Sequence, residues 1–131
     1  MDLKTIIINF NNIISNLLEQ TSCMIGESYL FYFKKIVKIN SFQPIQTFLK
    51  YGYSHKKDIL NKNPEYFLNN DNLKTNFDNN YDEYFTEIIR LKEVYINVND
   101  QSKENLWKIL NALVILTDKY VEINKQYQFK Y

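Results

Sequence analysis

The chain has 131 residues and a formal net charge of +1, with 45% hydrophobic, 24% charged and 16% aromatic residues. Eleven Tyr and nine Phe supply enough apolar ring area for one sizeable core, which argues against disorder and fits a single domain over 1–131. Near-neutrality removes any general pull toward nucleic acid, anionic membrane or acidic substrates, although residues 1–62 carry eight Lys against four acids (+4) and residues 63–131 come to −3.

With two Gly and two Pro, long helices are allowed, and no segment alternates with the two-residue period of a strand. Asp2 is placed to cap a first helix over about residues 3–22. Its apolar stripe is Leu3, Ile6, Phe10, Ile13 and Leu17, widened by Ile7, Ile14 and Leu18. Gly26 marks a break. A second helix is expected over about 27–39, with Tyr29, Phe33 and Ile36 inward, Phe31 further round, and Lys34, Lys35 and Lys38 on the other side.

Ser41 to Gly52 reads as a short helix with Pro44 in its first turn and Gly52 as its C-terminal stop; Ile45, Phe48, Leu49 and Tyr51 form its apolar side. Ser54 to Leu60 adds a helical turn. Asn63 and Pro64 signal another start, ahead of Tyr66, Phe67 and Leu68. Asn69 to Asn80, with six Asn and two Asp, is a loop. Tyr81 to Val98 is helical. Ser102 is then expected to cap the longest helix, with Glu104 in its first turn. Leu106, Leu110, Leu113 and Tyr120 form that helix's stripe, and Trp107, Val114, Leu116 and Val121 broaden it, as in a central helix. The expected fold is an all-α single-domain bundle of five or six helices, in orthogonal or mixed packing, with a long central C-terminal helix.

The segment Lys103 to Leu113 resembles a pattern found in uncharacterised helical proteins of nucleocytoplasmic large DNA viruses, in which an aliphatic residue is followed by Trp-Lys-Tyr-Leu-Gln-x-Leu. Leu106, Trp107, Lys108, Leu110 and Leu113 match; Ile109 stands in place of the aromatic and Asn111 in place of the Gln. Ile59 to Phe67 is similar to the short helix entry of those proteins. The resemblance loosely covers residues 59–113, is mostly helix-packing chemistry, and implies no activity. Fifteen Lys against one Arg, with abundant Asn, Ile, Tyr and Phe, independently indicate an AT-rich genome.

Catalytic and metal chemistry find little support. His55 is the only His and reads as an exposed residue of a charged turn. Cys23 is the only Cys, so no internal disulfide can form; it reads as a small buried hydrophobe in a reducing compartment. Asp78, Asp82, Glu83 and Glu87 cluster at a helix start, where acids stabilise the helix dipole, and this reading outweighs a Mg²⁺ or Ca²⁺ site. No cofactor motif is present. The region 34–62, with Lys34, Lys35, Lys38, Lys50, Lys56, Lys57 and Lys62 against Asp58, could grip a nucleic-acid backbone and stack bases on the interleaved Tyr51 and Tyr53 and on Tyr32 just before it. A solvated Lys face over an aromatic core is favoured over it. Trp107 is either an interface anchor or, preferably on so apolar a helix, core. The N-terminal apolar run is too short for a signal-peptide core, and no stretch reaches the length of a membrane span.

These readings combine into a non-enzymatic, intracellular or virion-associated protein of a large DNA virus, in the host cytoplasm or virus factory, acting through a protein partner. A small viral helical fold patterned on cell-death regulators belongs to this class and requires an exposed apolar groove. Nucleic-acid binding through 34–62 is the alternative.

Overall fold

The computed structural model of the protein describes residues 2–68 and 92–128, and among them the chain is all-α with no strand. Asp2 caps helix α1, Leu3–Ile25, by accepting the Thr5 amide at 2.8 Å. The expected stripe is the buried one: Ile6, Phe10, Ile14, Leu17 and Leu18 lie in the core, with Leu3 and Ile13 packed at its edge. The helix runs about one turn beyond residue 22 and ends at Gly26, whose amide donates to the Ser22 carbonyl at 2.8 Å.

Gly26 has φ 91° and ψ 160°, a region that only glycine enters without strain. A Cβ built there meets no atom. Gly26→Ala therefore isolates backbone strain from crowding, and urea denaturation should show a loss of about 1–3 kcal/mol. A variant as stable as the parent would mean that the turn relaxes freely.

Helix α2, Ser28–Ile39, buries Phe33 and Ile36 and exposes Lys34, Lys35 and Lys38, as the period predicts. Helix α3, Gln43–Thr47, starts with Pro44 in its first turn. The expected stop at Gly52 does not occur. Gly52 is buried with φ −96°, and the chain continues through a π-helical turn, Phe48–Gly52, and a 3₁₀ turn, Tyr53–His55, into α4, Lys56–Leu60. The Tyr53 amide donates five residues back, to the Phe48 carbonyl, which widens the coil without ending it. A glycine ends a helix by turning left-handed, and Gly52 stays right-handed.

The stop falls instead at Lys62, with φ 54°. The Lys62 amide donates to the Ile59 carbonyl and the Asn63 amide to the Asp58 carbonyl, the paired bonds of a Schellman ending. Asn63 then accepts the Glu65 amide at 3.1 Å and leads into α5, Glu65–Leu68, where Tyr66 and Phe67 are buried.

Helix α6, Lys92–Asn97, falls within the helix expected over Tyr81–Val98; the expected Asn69–Asn80 loop and residues 81–91 lie outside the described residues. The long helix α7, Asp100–Gln128, begins earlier than expected. Its cap is Asn99, whose side chain accepts the Ser102 amide at 2.8 Å. Ser102 is the donor, inside the first turn, because an Asn three residues upstream captures that orphan amide first.

Helices α1 and α7 pair at the centre; α2, α3 and α6 pack on α1, and α4 packs on α7. One core cluster draws on each described α-helix: Phe10 from α1, Phe33 from α2, Ile45 from α3, Ile59 from α4, Phe67 from α5, Val94 from α6 and Leu113 from α7. The buried Thr21 and Thr117 hydroxyls are satisfied along their own helices, Thr21 donating to Leu17 O and Thr117 to Leu113 O, each at 2.8 Å.

Candidate functional site

A flank of α1 and the end of α2 enclose an apolar groove of about 530 Å³. Leu3, Ile7 and Ile8 line it from α1, Val37 from α2, and Phe42 from the connection to α3. Ile8 is 47% exposed and Phe42 37% exposed, so their apolar surface is left to the groove. Asn11 forms part of the wall. Its Nδ2 donates to the Ser41 carbonyl at 2.9 Å and ties the two sides together, while its buried Oδ1 has no partner. Among the described residues Lys4 is the one charged member of the lining.

The lysines named from the sequence divide into two groups. Lys34, Lys35 and Lys38 are exposed on α2, and Lys35 Nζ lies 4.4 Å from the centre of the Phe31 ring, a cation–π contact. Phe31 is 64% exposed and Ile39 79% exposed, so the outer face of α2 is mixed basic and apolar. Lys57 is exposed on α4. Lys56 and Lys62 are instead held by acids of α7: Lys56 Nζ meets Asp118 Oδ1 at 2.9 Å, and Lys62 pairs with Glu104. Tyr51 and Tyr53 are half-buried, and the Tyr53 hydroxyl donates to Asp118. Region 34–62 therefore spends Lys56, Lys62 and one of the tyrosines proposed for stacking, Tyr53, on α7.

The Tyr53–Lys56–Asp118 cluster was not legible in the sequence, since Asp118 is 62–65 residues from its two partners and reads only as an interruption of the apolar stripe. Desolvation alone would raise the Asp118 pKa, but hydrogen bonds from Tyr53 and Lys56 outweigh it and hold the carboxyl below its ordinary value. The same hydrogen bond to Asp118, with burial second, raises the Tyr53 pKa, and the bond to Asp118 raises that of Lys56. All three groups are fixed in their resting charge states, which suits a tie between the 3₁₀ turn, α4 and α7.

These directions set a pH dependence. The Asp118 contribution is complete above about pH 4 and is lost as pH falls through the lower folded value. The Tyr53 and Lys56 contributions are complete below about pH 10 and are lost as pH rises through their raised folded values. Asp118→Asn should flatten both limbs of a stability–pH curve measured by urea unfolding. An unchanged acid limb would assign it to other groups, such as the Asp2 cap, whose pKa the Thr5 hydrogen bonds also lower.

Trp107 is 5% exposed, its ring edge-on to Phe67 and Tyr95 at 4.8 and 6.1 Å between centroids, so it sits in the core and presents no anchor at the surface. His55 is half-buried rather than exposed, because its ring packs edge-on to Tyr66 at 5.9 Å; Asp58 accepts from Asn63 Nδ2 at 3.2 Å. Cys23 is exposed, contrary to expectation: it falls off the buried stripe in the last turns of α1. Among the described residues no group of His, Cys, Asp or Glu could hold a metal ion; Asp78, Asp82, Glu83 and Glu87 lie outside them. Nor is any helix of the described residues long and apolar enough to cross a membrane.

The class defined so far is an all-α helical bundle with an open groove on its N-terminal helix pair. No protein-family model, curated protein or solved structure matches the chain.

Proposed function

We propose that this is a non-enzymatic protein-interaction module and that the groove between α1 and α2 receives the partner. The observation that carries the reading is the apolar lining left uncovered by the fold, with Ile8 and Phe42 retaining a large share of their surface. Exposed apolar surface gathered in a concavity marks a binding site, whereas single exposed apolar residues do not. An origin in a large DNA virus, with the protein in the host cytoplasm, virus factory or virion, is supported by the AT-rich bias and by the pattern over 103–113. Affinity purification with the parent chain and with Ile8→Glu tests the reading. A partner captured by the parent and lost with the variant supports it; identical captures sink it.

Nucleic-acid binding is the second reading, supported by exposed Lys34, Lys35, Lys38 and Lys57. The pairing of Lys56 and Lys62 with α7 weighs against it, because phosphate contact would have to compete with those acids. A mobility-shift assay at low and moderate salt should show no tight complex. A salt-sensitive shift abolished by joint replacement of Lys34, Lys35, Lys56 and Lys57 with Gln would make this the leading function.

A further inference from the structure

We infer that the occupant of the groove is an acidic amphipathic helix of a partner protein, an inference that rests on the interaction reading above. Two observations select it. The first is shape. The groove follows α1 from Leu3 to Asn12. Nine residues of helix rise about 13 Å, close to the span between apolar anchors at i and i+7 or i+8 on a docked helix. A compact small molecule needs no such strip, and a bilayer surface does not fill a concavity.

The second is charge. Helices α1 and α2 carry Lys4, Lys34, Lys35 and Lys38 against Glu19, with Glu27 at the N-cap of α2, ten residues and roughly 15 Å before Val37. Glu19 is eleven residues beyond Ile8, roughly 16 Å along the axis. Asp2, at the near end, keeps its charge but turns it to the Thr5 amide as the cap of α1. On α2, Lys34 lies one turn before Val37 and so adjoins the side of α2 that lines the groove, while Lys38 follows Val37 about 100° further round the helix. Lys4 stands on the opposite wall. An apolar floor between cationic rims complements a helix with aliphatic anchors flanked by Asp and Glu, and it opposes one with basic flanks.

The test is a displayed library of helical peptides carrying fixed i, i+4, i+7 aliphatic anchors and randomised flanks, selected on the full chain at low salt. The expected result is enrichment of Asp and Glu in the flanks. Synthetic peptides of the enriched sequences should bind at least about tenfold more weakly to Ile8→Glu, which places a charge against the anchors. They should bind several-fold more weakly to the double variant Lys4→Glu/Lys34→Glu, and selection on that double variant should return basic flanks. All the substituted residues are exposed, so thermal melts of the variants should match the parent. Enriched peptides that depend on Ile8 but carry neutral or basic flanks would overturn the acidic partner while leaving the groove as an interaction site. Failure to enrich any Ile8-dependent peptide would overturn both. Cosedimentation with phosphatidylserine vesicles, lost in the same variants and without peptide enrichment, would also overturn the inference and make this face a membrane contact.

Discussion

Trp107→Ala is expected to destabilise the fold by about 3–5 kcal/mol, the usual range for removing a large buried aromatic. The ring is 5% exposed and closes an aromatic cluster built from three helices. Phe67 of α5 stacks on Tyr95 of α6 with centroids 4.3 Å apart and planes 9° apart, and Trp107 of α7 stands edge-on to both. Lys103 Nζ lies 5.1 Å from the centre of the Tyr95 ring. Side-chain packing in this cluster ties α5 and α6 to the long helix α7. Removing the indole leaves a cavity that two rings cannot fill without leaving their own contacts. Urea unfolding should show a lower midpoint with the slope retained. A variant of parental stability that lost a binding partner would move Trp107 from core to interface.

The helices were readable because their burial follows a single period. In α1 the residues spaced to face inward are the ones the core uses, and in α7 Leu106, Leu110, Leu113 and Tyr120 are all buried, as the stripe requires. Ends were harder, since they depend on which of several similar side chains captures an orphan amide. Asn99 and Ser102 are both good caps, and the outcome is fixed by geometry that sequence leaves open. The ending of α4 at Lys62 carries no residue signal, because lysine is an unusual occupant of left-handed backbone. The groove was less legible still. Asn11 reads as a polar residue beside the stripe, yet it is buried because its amide reaches Ser41, thirty residues away. Ile8 reads as one more apolar residue of an apolar helix. That it stays open depends on where α2 and its connection to α3 come to rest.

The distinction between core and groove can be tested on one helix with two residues only two positions apart. Phe10 is fully buried, its ring edge-on to Phe48 of the π-helical turn at 5.7 Å between centroids. Phe10→Ala should cost about 3–5 kcal/mol, comparable to the loss at Trp107. Ile8 is 47% exposed, and Ile8→Ala removes apolar atoms that already face solvent in the free chain, so its cost should stay within about 0.5 kcal/mol. If instead Ile8→Ala destabilised by several kcal/mol, the groove would be a packing surface required by the fold, and its apolar lining would carry no argument for a partner. If Phe10→Ala were tolerated, the π-helical turn would hold its place without the ring beneath it. The expected asymmetry, steep at Phe10 and flat at Ile8, is what a surface kept apolar for binding requires. Stability alone gives no reason to leave an isoleucine half in water on the rim of a groove bordered by lysines, whereas association would bury it and recover about 25 cal/mol for each Å² removed from water, before the cost of ordering the two chains.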